Sequence, residues 1–295
     1  MDHMSKEKVV SFSERMGLES FKKELQLSDM DIDLRNSMWN VIHQCVLEYG
    51  SMKSYDDHLS AFRFDLMANF LKKPVHQLQE DPFNYVQPFY KVFSELTWNR
   101  VYDLMQFLIN KPYVMRDYVT HLNLLLEREF SGYRVIGGII APISNDLEIT
   151  SVNDALKIAK KFTALNGVNA HLSNALALMS DRNSPDYSNS IKESVSAVET
   201  AAKFITGEST LGNALNRIEH TGISINNQLK ESFNKIYNYT NDKNVGIRHA
   251  VVGQKVAPDF ETAKYILITS SAFVNYLISL AEKSGLLKGV QKKVT

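Results

Sequence analysis

Histidine, cysteine and arginine are the side chains best suited to chemistry at neutral pH, and their spacing bounds what this chain can do. The eight histidines stand at positions 3, 43, 58, 76, 121, 171, 220 and 249. No two of them form the H-x-x-x-H or H-E-x-x-H spacing that sets two imidazoles on one helix face for zinc. Asp56-Asp57-His58 places carboxylates beside an imidazole, but consecutive helical residues point about 100° apart and rarely share a ligand. Cys45 falls in the apolar stripe of a helix, which reads as a buried structural thiol rather than a nucleophile. With no second cysteine it forms no internal disulfide, and a reducing compartment suits it. There is no G-x-S-x-G elbow, and Gly137-Gly138 lacks the surrounding pattern of a phosphate loop, so it reads as a turn.

Two places bring arginine near histidine. Arg217-Ile218-Glu219-His220 ends a helical stretch, where cations complement the helix dipole, and that structural role is sufficient. Arg248-His249 lies in the polar segment 242–250, between two apolar helices. A neutral imidazole transfers protons near pH 7, and a guanidinium holds a phosphate through two parallel bonds. By composition alone the pair is either such a site or an ordinary exposed loop pair.

The elements that must position these residues are helical. Thirteen glycines and seven prolines are few for 295 residues and argue against a turn-rich sandwich. Ser28-Asp29-Met30-Asp31 is rich in capping residues, and Ile32, Leu34, Met38, Trp39, Ile42, Cys45, Val46 and Tyr49 follow at helical spacing up to Gly50. A second helix starts at Asp56-Asp57 and ends before Pro74, aromatic helices fill 83–108, and a leucine-rich one runs over 118–130. The aromatics of that stretch, among them Phe83, Tyr85, Phe89, Tyr90, Phe93 and Trp98, read as core at helical spacing, with a stacking surface for bases as the other reading. At 132–149 β-branched residues and glycines take over, and a small β-hairpin is expected, with residues 143–149 supplying a polar turn and a second apolar edge. Helices resume at Val152. The polar segment 181–186 reads as an exposed join, and beyond it helices are expected at 187–205, 211–219, 226–239 and 260–282, the last capped by Asp259. The fold class is therefore all-α with one hairpin near 133–149, in two helical domains, 5–180 and 186–286.

Thirty-three basic residues against 33 acidic ones leave no net charge, which excludes a strong non-specific polyanion binder but not a local basic groove. No secretory signal opens the chain, and residues 265–281 carry Thr269, Ser270, Ser271, Asn275 and Ser279, too polar and too short for a bilayer span. A soluble, cytoplasmic protein without membrane contact is expected. Residues 265–280 are apolar around most of the helix, more than a small four-helix half readily buries, which points to a homodimer through the C-terminal half.

The order of these features resembles a known family. Phe12-Ser13-Glu14-Arg15-Met16-Gly17, Leu25-Gln26-Leu27, Met30-Asp31 and the run Leu34 to Asn40 resemble the AbiJ-type N-terminal domain of the fourth class, found in prokaryotic abortive-infection proteins. Gly132-Tyr133-Arg134 and residues 143–149 look like that domain's end. The C-terminal half is similar to a HEPN-like domain, through residues 186–194, Ala197-Val198-Glu199, Leu211-Gly212, Tyr239, Asp242, residues 246–250 and residues 271–277.

The resemblance implies a helical, dimeric HEPN bundle acting as a metal-independent endoribonuclease toxin in phage defence, with no cofactor and RNA as substrate. It also implies an N-terminal regulatory or sensor domain answering to a phage trigger or a regulatory partner. Arg248 and His249 are then the catalytic pair, with His249 as acid or base and Arg248 neutralising the phosphorane. Glu199, on the first helix of this half, orients the histidine, and Asn241, Asp242 and Asn244 support the loop. The alternative is a non-catalytic HEPN-like module binding RNA, a nucleotide or a protein. The superfamily pattern is arginine, then four to six residues, then histidine. Here those positions are Gly253, Gln254 and Lys255, and the neighbouring imidazole is the adjacent His249.

Overall fold

The computed structural model describes residues 12–16, 25–49, 55–77, 85–181, 184–242, 247 and 257–287. After a single helical turn, Phe12–Arg15, helix α1 covers Ile32–Ile42. The Asp31 carboxylate caps α1 by accepting from the Leu34 N–H at 2.8 Å. The helix then widens into a π-helical stretch, His43–Glu48. Within it the Cys45 carbonyl accepts from the Met115 N–H at 3.0 Å, so the widened turn ties α1 to the loop before α5. Helix α2, Tyr55–Asp65, widens likewise over Leu66–Phe70. Helices α3, Val86–Glu95, α4, Trp98–Phe107, and α5, Tyr118–Arg128, complete the N-terminal layer. Phe89, Phe93 and Tyr102 are core residues, and Phe62 meets Phe89 and Tyr113 edge-on. The aromatic stretch is thus mainly core. Tyr90 stays 39% exposed at its rim against Trp39, and Phe83 lies outside the described residues.

A two-stranded antiparallel hairpin follows: β1, Arg134–Ile136, pairs with β2, Ile139–Ala141, in the register Arg134↔Ala141, Val135↔Ile140 and Ile136↔Ile139. Gly137 and Gly138 make the turn at φ +60° and +93°, the backbone that a two-residue hairpin loop requires and that glycine adopts without strain. The hairpin is tighter than the sequence suggested. Its second edge is residues 139–141, and 146–149 form the first turn of a helix. Asn145 accepts from the Leu147 and Glu148 N–H groups, and acidic Asp146 and Glu148 suit a helix start. Asn123 donates to the Val135 carbonyl and accepts from its N–H, standing in for a third strand. Asn153 accepts from the Gly137 N–H, and Gln106 from the Ile140 N–H.

The C-terminal layer holds α6, Asp146–Lys161, α7, Asn166–Ser180, α8, Tyr187–Thr206, α9, Leu211–Arg217, α10, Asn227–Asn241, and α11, Phe260–Lys283. The Asp259 carboxylate caps α11, accepting from the Thr262 N–H at 2.8 Å. Close packing of α8 on α7 is made by small residues: Ser190 Oγ donates to the Ala175 carbonyl at 2.8 Å. The buried apolar side chains fall into two clusters, one running from Leu34 to Val135 and the other from Ile136 to Leu287. The cores therefore meet inside the hairpin. Helices α6 and α7 precede the polar segment 181–186, yet both belong to the second core: both pack on α11, and α7 also packs on α8. Helix α11 is long and apolar enough to cross a bilayer by length and composition. It lies among α6, α7 and α8, which cover much of the apolar circumference that the sequence left without an obvious partner, while Tyr265 remains 59% exposed. The fold is all-α with one small hairpin.

Candidate functional site

Of the residues expected to do chemistry, Arg248, His249 and Asn244 lie outside the described residues. Ile247, next in sequence to Arg248, is buried in the second core. Asn241 is the last residue of α10, where its Nδ2 donates to the Tyr237 carbonyl at 3.3 Å. Asp242 closes the helix, its N–H donating to the Tyr239 carbonyl at 3.3 Å. Glu199 lies at mid-length of α8 with a side chain only 16% exposed, and Lys203 one turn on stands 3.4 Å from it.

Ring contacts set the directions of these helices. Tyr187 and Phe260, at the starts of α8 and α11, lie 6.3 Å apart, so these two helices run parallel. Phe233 of α10 stacks on Phe273 of α11 at 3.8 Å, and burial together with the nearby Asp259 carboxylate raises the Tyr239 phenol, so α10 runs back towards the start of α11. Glu199 stands twelve residues beyond Tyr187, roughly 18 Å along α8. Glu199 thus lies on α8, and Asn241 and Asp242 lie at the end of α10.

A second constellation escapes the sequence patterns. A groove of about 460 Å³ opens between α5 and α6, with the hairpin as its floor. Arg134 lines it and is 5% exposed, although it carries a charge on a strand otherwise made of Val135 and Ile136. Its Nη1 donates to the Ser131 and Tyr133 carbonyls at 2.8 Å each. Burial lowers the guanidinium from its usual pKa, and the carboxylates of Glu127 and Asp146 push it back up. Glu127 on α5 and Asp146 and Lys157 on α6 line the same groove. The one signal in sequence is Arg134 itself, a charge where a strand between two apolar layers wants none.

The remaining candidates have structural roles. Cys45 is buried, and burial followed by the Asp117 carboxylate pushes its thiol up to about 11, which removes the thiolate a nucleophile needs. Among the described residues no three His, Cys, Asp or Glu side chains group as a metal site.

With this geometry in place, comparison with known proteins adds one firm result. The family described as AbiJ N-terminal domain 4 matches residues 10–157, which is half of the chain and includes both strands of the hairpin and every residue lining its groove. No curated protein and no solved structure matches the chain. The chain belongs to the AbiJ N-terminal domain 4 family, and that domain marks it as an AbiJ-type abortive-infection protein.

Proposed function

We propose that this abortive-infection protein is a metal-independent endoribonuclease of the HEPN type, acting as a toxin through its C-terminal half under control of the AbiJ-type half. The observation that carries the reading is the Arg248-His249 pair in the segment between α10 and α11, beside the core-buried Ile247. His249 is the proton-transfer group and Arg248 the group that holds the phosphorane, and attack by the ribose 2′-OH makes RNA rather than DNA the substrate. Arginine and histidine adjacent in sequence face one another best across a dimer axis, so the proposal includes a homodimer through the C-terminal half.

Purified protein incubated with total RNA in EDTA is the test. Cleavage leaving 2′,3′-cyclic phosphate ends is expected, with His249→Ala slower by about 10²–10⁴-fold. Arg248→Lys is expected to fail as well, because a point charge does not replace the planar fork. Light scattering at micromolar concentration should report a dimer. A second reading, a non-catalytic HEPN-like module that binds RNA, a nucleotide or a protein, is favoured by one specific observation. Positions 253–255 hold no histidine. Wild-type and His249→Ala proteins that both leave RNA intact would decide for it.

A further inference from the structure

The groove over the hairpin is ringed by four ionisable side chains, Arg134, Glu127, Asp146 and Lys157, and among the described residues none of them forms an ion pair. Arg134 is the costly one. Its side chain is 5% exposed and its Nη1 is taken up by two carbonyls, while its Nε and Nη2 bond to none of the described residues and reach solvent at the groove. Those donors are open to the groove, where an acceptor on a ligand would take the place of solvent.

Contacts along the hairpin order the groove. Arg134 lies at the start of β1, within electrostatic reach of both Glu127 and Asp146. Asn153 bonds Gly137 at the turn, and Lys157 stands one helical turn beyond Asn153. One end therefore offers guanidinium donors beside two carboxylate acceptors. The other offers an ammonium next to the Gly137-Gly138 turn. Val119 and Ile149 wall the space between, the first packed on the N-terminal core and the second on the C-terminal core.

This polarity is that of a nucleotide. A purine edge carries acceptors for an arginine fork and, on its amino or ring N–H groups, donors for carboxylates. A phosphate suits the lysine end. The cavity of about 460 Å³ is of small-ligand size. We propose that the groove between α5 and α6 binds a purine nucleoside monophosphate, with the base towards Arg134, Glu127 and Asp146 and the phosphate towards Lys157. The occupant touches walls belonging to both cores, so its binding bears on how the two layers meet.

Calorimetry on the full chain in EDTA, with GMP, AMP, guanosine and inorganic phosphate as probes, tests this without RNA, so its outcome stands apart from the cleavage assay. At least one purine monophosphate should bind saturably, and guanosine or phosphate alone should bind at least about tenfold more weakly. Lys157→Glu should weaken the monophosphate about tenfold or more and leave guanosine unchanged. Thr120→Trp, on the exposed wall, should block every probe. Both side chains are exposed, so both variants should melt with the wild type. Three results would each overturn the proposal: no binding of either monophosphate at about 1 mM, binding that Thr120→Trp leaves intact, or inorganic phosphate binding as well as the nucleotides.

Discussion

Asp65 shows how a single carboxylate can tie a helix to a loop. It accepts from Tyr113 Oη at 2.6 Å, from Lys111 Nζ at 2.7 Å and from Asn69 Nδ2 at 2.6 Å, with its side chain 15% exposed. Burial alone would raise its pKa, but the bonds from Lys111, Tyr113 and Asn69 outweigh it and hold the group below the usual carboxylate range. Asp65→Ala is expected to cost about 2–3 kcal/mol, since it also leaves the half-buried Tyr113 hydroxyl without its acceptor. The folded pKa is depressed, so the contribution is complete above the unfolded value of about 4 and is lost as pH falls through the folded value. Urea titrations of wild type and Asp65→Asn should differ by a constant amount between pH 5 and 7, and the gap should close below about pH 4. A gap that widens with acid would contradict this. Cys45 is a second case at this scale: a thiol-specific reagent at pH 8 should leave it unmodified in the native protein and react once urea is added. Burial of Cys45 is legible from its place in an apolar stripe. The Asp65 cluster is not, because Lys111 and Tyr113 lie 46 and 48 residues away and no sequence pattern joins them to it.

At the scale of elements, helices announce themselves by period and cap, and the hairpin by its residue types. What the sequence leaves open is where the hairpin stops. Residues 143–149 contain apolar positions that serve a strand or a helix equally, and the cap at Asn145 decides. The π-helical stretches at His43–Glu48 and Leu66–Phe70 carry no sequence mark at all, since widening a turn needs only an outside donor or a local packing demand. The tight turn gives a direct test. A Cβ on Gly137 would stand 2.7 Å from Leu156 Cδ1, in a backbone region that L-residues avoid. Gly137→Ala should cost about 1–3 kcal/mol. Gly138 has only Asn110 Nδ2 at 4.0 Å from its added Cβ, and asparagine tolerates positive φ, so Gly138→Asn should cost less than about 1 kcal/mol. Thermal melts showing the two substitutions equal would mean that the turn is not built as described. The groove proposed for a nucleotide belongs to this scale too. Its charges come from a helix, a strand and a second helix, so no local motif could reveal it.

For the whole molecule, amphipathic helices carry no address. Helices α6 and α7 precede the polar join, and only the packing shows that they complete the second core. The consequence is measurable. Residues 186–286 alone would lose Val152 and Leu156 from α6, and Val168, Leu172, Leu176 and Met179 from α7, all buried against that core. Six such side chains are worth about 9–18 kcal/mol of burial at 1.5–3 kcal/mol each, against a typical domain stability of about 5–15 kcal/mol. A fragment beginning at residue 186 is therefore expected to show no cooperative thermal transition and to aggregate through the bared faces of α8 and α11. A fragment beginning at 132, which keeps the hairpin with both helices, should melt cooperatively. Circular dichroism melts of the two fragments make the comparison. A cooperative transition in the shorter one would mean that α8 to α11 bury their apolar faces without α6 and α7, for instance against a second copy of the chain.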